Sequence, residues 1–389
     1  MNSRRARFVL AFVVFSVLLA QALLYPGIDT LVTAIGVDSA LDASMWFLAA
    51  EFAAFIAFAG VWGALSDAAG RRRPFIVAGA AGGALTYLLM AMAGQLTSLS
   101  FLGVLGLRIL QGALTIGAFS LAMTMLMDLE GGHGRNMGAA GIAIGLGMSL
   151  GSPLGGQLYE IGPFVPLYGA SGLLLGVGAL SMGLSDRTTP TGRETFGKVL
   201  EAIQRERRLI VPYAYGFIDR FTAGFFALVG TLYFRTVFEL SPGATGIFLA
   251  LFFVPFALLQ YPFGILSDRI GRTGPVVVGS VLYGFAVLGV GYSPTPEFAG
   301  GMMVVAGGLG ALMSPATMAL VTDIAPETER GTAMAGFNVF GSAGFLGGIL
   351  VGGTVAANVG FFAAFVTAAG AEMGVALFTL PVLLRWKKS

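Results

Sequence analysis

Long apolar runs separated by short polar breaks recur along the whole chain, and nothing else limits its fold as much. A helix needs about 20 mostly apolar residues to cross the hydrocarbon core of a bilayer. The polar breaks in the 389-residue sequence leave twelve such runs: 8–33, 43–65, 75–95, 98–127, 136–159, 163–184, 209–237, 243–266, 275–293, 297–322, 332–357 and 361–384. Only 11% of residues are charged and 56% are hydrophobic. A soluble domain carries about 25% charged residues. The expected class is an all-α membrane protein with twelve transmembrane helices. The run that follows Arg4, Arg5 and Arg7 is read as the first span, not as a removable signal, because it is long and no small-residue cleavage site ends it.

Composition excludes several chemistries. Without cysteine there are no disulfides, thiolate ligands or thiol nucleophiles. The single histidine, His133, is read as a solvated loop residue, so no catalytic triad or histidine metal cluster is available. No Gly-x-x-x-x-Gly-Lys-Ser/Thr loop occurs, which argues against an ATP-driven pump. A net charge of +2 gives no nucleic-acid footprint. An enzyme, a metal site and a cofactor are not expected.

The basic residues predict an orientation. Arg4, Arg5 and Arg7, Arg71–Arg73, Arg135, six residues between Arg187 and Arg208, Arg269, Arg272, Arg330, Arg385, Lys387 and Lys388 all fall on the N-terminal side. Arg108 and Arg220 lie inside spans, and only Arg235 lies near the other side. Such bias places both termini in the cytoplasm. The opposite loops carry Asp38, Asp42, Glu160, Glu239 and Glu297. The longest polar segment, 185–208, is expected to join an N-terminal six-helix bundle (1–184) to a C-terminal one (209–389). Within it, Phe196, Val199, Leu200 and Ile203 follow helical spacing, which predicts a short amphipathic helix at the cytoplasmic interface.

The two halves repeat. Gly63, Asp67, Gly70 and Arg71 recur as Gly264, Asp268, Gly271 and Arg272, offset by 201. Asp128 and Arg135 recur as Asp323 and Arg330, offset by 195. Paired repeats are typical of transporters with a substrate site at mid-membrane depth.

Gly63-Ala-Leu-Ser-Asp67-Ala-Ala-Gly70-Arg71-Arg72 matches the loop signature of the major facilitator superfamily, and Gly264-Ile-Leu-Ser-Asp268-Arg-Ile-Gly271-Arg272 repeats it without the second basic residue. Arg108-Ile-Leu-Gln111-Gly112 in span 4 looks like the Arg-x-x-Gln-Gly motif of proton-coupled members. Gly147, Gly151, Pro153, Gly155 and Gly156 in span 5 resemble the antiporter motif, with proline one position late. The chain as a whole resembles the twelve-span drug:proton antiporter branch of that superfamily. The resemblance implies a secondary active transporter of the cell membrane that works by alternating access. It implies export of a small lipophilic or cationic compound driven by a proton gradient, with no other cofactor. Sugar or metabolite passage by the same fold is the alternative, and a non-transporting receptor or scaffold a third reading. A monomer in the lipid bilayer is expected.

Each motif also has a physical reading. Asp67 and Asp268 end spans 2 and 8, where the helix dipole disfavours a carboxylate, so each needs a partner: an adjacent arginine or the start of a helix from the opposite half. Gly70 and Gly271 permit a tight turn. Gly63 and Gly264 remove bulk for close helix approach. The expected role is a gate. Arg108 lies about 15 Å into span 4 and must face protein or water. Gln111, Gly112, Thr115 and Phe119 share its face and suggest a cavity wall. Asp29, Glu51 and Asp219 are candidate proton carriers, with either Asp29 or Glu51 as partner for Arg108. Arg220 points about 100° from Asp219. Phe221 and Phe225, in an aromatic-rich pair of spans (7 and 8), are candidates for an apolar substrate cavity, beside the plainer reading of core packing. The glycines of spans 5 and 11 suggest surfaces that slide between the halves. Glu372, in the middle of a span expected to face lipid, has no evident partner.

Overall fold

The computed structural model describes residues 3–37, 40–96, 100–130, 133–186 and 196–386. Asp38, Arg187, Arg193, Lys387 and Lys388 lie outside them. The apolar runs fold as helices: α1 (Ser3–Ala22), α2 (Ile28–Ala34), α3 (Ala40–Ala69), α4 (Arg73–Leu96), α5 (Phe101–Met127), α6 (His133–Ile161), α7 (Val165–Ser181), α8 (Phe196–Arg205), α9 (Ile210–Phe225), α10 (Thr231–Thr236), α11 (Pro242–Ile270), α12 (Thr273–Gly291), α13 (Pro296–Ile324), α14 (Arg330–Asn358) and α15 (Phe361–Trp386). Among the described residues, eleven helical stretches are long and apolar enough to cross a membrane. The shorter apolar helix α7 has 17 residues and is about 26 Å long. Punctuation in the sequence sets the ends. The Ser100 hydroxyl accepts from Gly103 N at 3.3 Å to cap α5, and Thr295 caps α13 in the same way from Phe298 N at 3.4 Å.

Two spans depart from the expected single helices. The first breaks between Ala22 and Ile28, where Pro26 has no N–H to continue the ladder and the chain turns through Leu24 N to Gln21 O (3.2 Å) and Tyr25 N to Ala22 O (3.4 Å). Gly27 lies against the Tyr159 ring, whose hydroxyl donates to Leu24 O at 3.1 Å. Asp29 therefore stands in the first turn of a separate helix, α2. The seventh span is α9 and α10 joined by a π-helical turn, Phe226–Gly230, with the Thr231 hydroxyl donating to Phe226 O at 3.2 Å. His133, expected in a loop, begins α6.

The chain forms two compact units: Met1–Arg193 with Leu240–Ala250, and Glu194–Glu239 with Leu251–Ser389. In the first, charged and polar contacts gather one end of every second turn. Arg7 of α1 donates to Asn136 Oδ1 of α6 (2.8 Å) and to Glu130 O (2.6 Å). Arg72, just before α4, pairs with Asp128 at the end of α5, and its backbone N donates to Asp186 Oδ1 beyond α7 (2.8 Å). The starts of α1, α4 and α6 thus meet the ends of α5 and α7. This is the alternation that the basic loops predict. The first turn of α11 also belongs here: Gly243 N donates to Glu160 Oε1 at 2.8 Å, and Gly156 lies on the Pro242 carbonyl.

Glycine spacing fixes the closest helix pairs, and it does so within each unit. Gly147, Gly151 and Gly155 of α6 bed on α1, and a methyl at Gly147 would stand 2.9 Å from Phe15 O. Gly155 lies directly on the Leu23 carbonyl. In the second unit Gly344 and Gly348 of α14 bed on the Phe217 and Phe221 carbonyls of α9, and Gly224 of α9 on that of Phe345. These stripes, expected to slide between the halves, are instead the packing faces of α1 with α6 and of α9 with α14. Small residues let two backbones touch. Helix α6 runs on through Pro153.

Helix α8 packs on the second unit, with Val199 buried against Gly336 of α14 and Ile203 beside Tyr213 and Phe337. Val199 and Ile203 meet protein, where a membrane interface was expected. Many large apolar side chains face outward, Tyr261 at 79% and Phe378 at 85% exposure among them. Water does not tolerate so much apolar surface on a monomer, and lipid does.

Candidate functional site

A carboxylate and a guanidinium meet inside the first unit, both completely buried. Glu51 lies eleven residues into α3, about 16 Å along it. Helix α5 starts at Phe101, so Arg108 is seven residues in, about 10 Å. Their depths bring the charges together: Arg108 Nη2 donates to Glu51 Oε2 at 2.5 Å. Gly112 makes this approach possible. It lies against the Glu51 backbone, where a methyl would be 2.8 Å from Glu51 O.

Helical spacing completes the network. Gln111, three residues after Arg108, accepts from Arg108 Nη1 at 2.6 Å and donates to Glu51 Oε1 at 3.2 Å. Its amide also donates to Thr115 Oγ1 at 3.0 Å. Three neighbours were not foreseen from the sequence: Gln21 of α1, whose amide stands 3.5 Å from Glu51 Oε2; Tyr87 of α4, whose hydroxyl accepts from Arg108 at 3.3 Å; and Phe47, whose ring centroid lies 4.5 Å from Arg108 Cζ. Phe47 is one turn before Glu51 on α3, so that face carried a signal. Arg108, Gln111 and Thr115 are sealed between helices and do not line an open wall. The reason is the tight seat of α5 on α3. Arg108 Nε and the Tyr25 hydroxyl are buried with no hydrogen-bond partner among the described residues. Asp29 lies within electrostatic reach of Tyr159. Of the two candidate partners, Glu51 is the one the structure brings to the arginine.

The second unit does not repeat this pair. The offset of 195 carries Gly112 to Gly307, which lies on the Phe252 carbonyl just as Gly112 lies on that of Glu51. The offset of 201 carries Glu51 to Phe252, and that of 195 carries Arg108 to Met303, both buried and apolar. The second unit places its carboxyls elsewhere. Asp219 of α9 is partly buried, its neighbour Arg220 is exposed, and the two make no ion pair with each other. Arg220 lies along Gly341, where a methyl would be 3.1 Å from its Cγ. Phe221 and Phe225 take the plainer of their two readings, core packing. Both are buried, Phe225 in a ring cluster with Phe226 and Phe365 (centroids 5.6 and 5.0 Å). The glycines of α14 draw α9 in and close them off. Glu372 does not face lipid. It is completely buried between α9 and α12.

The repeated loops each hold an acid, a turn and an arginine. Gly70 (φ 62°) and Gly271 (φ 89°) adopt the left-handed conformation. In the first loop the arginine is Arg72, only 2% exposed, between Asp128 and Asp67, the latter 3.9 Å away. Arg71, the residue singled out by the motif, is exposed and makes no ion pair among the described residues. In the second loop Arg272 pairs with Asp268 and, at 3.3 Å, with Asp323. The two loops are equal in sequence length, with Gly70 and Pro74 matching Gly271 and Pro275 at the same offset of 201. The first loop offers a second arginine, Arg72, where the second loop has Thr273, and Arg72 takes the buried place between the acids. Gly63 and Gly264 make no close approach: a methyl at Gly63 would meet nothing within 4 Å, and one at Gly264 only Pro315 at 3.7 Å.

Comparison with known proteins agrees with this architecture. The family model described as Major Facilitator Superfamily matches residues 10–227 and 213–389. The class G tetracycline resistance protein of Vibrio anguillarum is 28% identical over 351 residues, 85% of this chain and 84% of its own. An uncharacterised transporter of Methanocaldococcus jannaschii is 31% identical over 157 residues, 37% of this chain and 39% of its own length. Among solved structures, the D-xylose-proton symporter superposes with a TM-score of 0.79 at 15% identity, covering 97% of each chain. The human organic anion transporter TETRAN superposes with a TM-score of 0.67 at 22% identity, covering 97% of this chain and 99% of its own. Built from helices long enough to span a membrane and carrying the loop signature twice, the chain is a membrane transporter and belongs to the Major Facilitator Superfamily.

Proposed function

We propose that this transporter exports small lipophilic or cationic compounds in exchange for protons, across a cell membrane with both its termini in the cytoplasm. The observation that carries the proposal is the buried Glu51–Arg108–Gln111 network. An ion pair in an apolar bundle stabilises less than well-packed apolar residues of the same volume, so its presence favours a working role. Protonating Glu51 releases Arg108; Arg108 Nε and the Tyr25 hydroxyl, buried without a partner among the described residues while the helices are closed, become donors for a polar group on the cargo when the helices part. Similarity over most of the chain to a tetracycline resistance protein supports export and a polycyclic, amphipathic cargo. The charge clusters at Asp67–Arg72–Asp128 and Asp268–Arg272–Asp323 are assigned to gating, because each ties two helix ends of its own unit to one arginine.

Purified protein in proteoliposomes, given an imposed pH gradient and a panel of tetracycline, lipophilic cations and sugars, tests the proposal. Gradient-driven movement of tetracycline or a cation is expected. Movement of a sugar alone would replace export with the metabolite reading.

A further inference from the structure

The second unit holds a buried carboxyl with no cation. Glu372 lies eleven residues into α15, about 16 Å along it. Its Oε1 is 2.6 Å from the Ser280 hydroxyl of α12, and its Oε2 is 3.1 Å from the Thr222 hydroxyl of α9. Three long helices pack around this position. Helix α9 presents Tyr215 and Asp219, with Arg220 beside Asp219, and α12 presents Tyr283. Helix α14 has no ionisable side chain after Arg330. Among the described residues no arginine, lysine or histidine pairs with Glu372.

The hydrogens distinguish two states. A hydroxyl carries one proton to donate. Thr222 Oγ1 lies 3.2 Å from Ile218 O, the carbonyl one turn before it, and 3.1 Å from Glu372 Oε2, so it donates to one of them at a time. With Glu372 as a carboxylic acid every group is satisfied: Ser280 donates to Oε1, the acid donates from Oε2 to Thr222, and Thr222 donates to Ile218 O. With Glu372 ionised, both hydroxyls turn to the carboxylate, and a full negative charge remains in an apolar bundle with only neutral donors. A bare charge there costs several kcal/mol. Glu51 has its arginine; Glu372 has nothing equivalent. We propose that Glu372 is the proton-binding group of the second unit. It is protonated in the arrangement described and releases its proton on the side of α9, where Thr222 and the partly buried Asp219 lie. Thr222 rotates from the Ile218 carbonyl to the carboxylate as the proton leaves.

The role of this proton in transport rests on the exchange reading above; the titration itself does not. Infrared difference spectra of the full chain in lipid, recorded across a pH series, read it directly. A protonated-carboxyl band that shifts in D2O and disappears at high pH is expected. It should be lost in Glu372→Gln and retained in Asp219→Asn. In Thr222→Val, which keeps the carboxyl, the band should move to higher frequency because the acid loses its acceptor. A band unchanged by both Glu372→Gln and Thr222→Val overturns the proposal. In proteoliposomes, Glu372→Gln should still exchange labelled for unlabelled substrate but lose its response to a pH gradient; a full response also overturns it. If no compound follows a pH gradient in the parent protein while the Glu372 band titrates, the exchange reading fails and the proton site stands.

Discussion

Arg108 has one strong ionic partner, one amide partner and two aromatic rings, all from the first unit. Removing one member of such a pair leaves a buried, unbalanced charge, which costs about 3–5 kcal/mol. Arg108→Ala and Glu51→Gln should therefore each lower the midpoint of thermal unfolding in detergent. The double variant should lose less than the sum of the two, by about 1–3 kcal/mol. Additive losses would mean the pair is not coupled. The sequence made Arg108 and Gln111 legible because a polar pair at helical spacing inside an apolar run has few explanations. It left Glu51 and Asp29 as equal partners, since depth along a span is uncertain by a turn at each boundary. Glu372 was legible only as an acid in the middle of a span, without its partners. Its partners Ser280 and Thr222 are ordinary residues that become significant only when α9, α12 and α15 are packed together.

Helices touch where glycine replaces a side chain, and the cost of filling such a contact is local. Gly155→Ala and Gly348→Ala place a methyl on a carbonyl of the facing helix. Each should destabilise its own unit by about 1–3 kcal/mol. Gly141→Ala meets nothing within 4 Å and should leave unfolding unchanged. Equal effects at all three positions would contradict the packing described. The four-residue spacing was readable in the sequence, but which helix each stripe meets was not, because spacing carries no address. The loops show the same limit. A motif aligned by eye points to Arg71, while the contact falls to the next arginine, Arg72. Asp67→Asn and Arg72→Gln should slow transport without preventing insertion, and Arg71→Gln should not. Those rates can be read in proteoliposomes beside a cell-surface measure of insertion, and unchanged kinetics in Asp67→Asn would remove the gate.

Across the whole molecule, two units share a repeat in their packing and differ in their charges. Gly112 on Glu51 and Gly307 on Phe252 are the same contact, yet only the first unit has an ion pair there. The fold was legible from apolar run length and from the repeated loops, because each span independently satisfies the bilayer and the repeat follows from them. Cargo was not, because no run of residues encodes a cavity that several helices form together. The central claim is exchange of a compound for a proton. Its most direct measurement loads proteoliposomes with tetracycline, or with the cation that moves best, leaves pH equal on both sides, and follows internal pH as the compound leaves. Exchange predicts protons entering as the compound exits, with the internal pH falling, and no change in Arg108→Ala. Protons leaving with the compound, or an internal pH that stays constant while it leaves, would contradict the account.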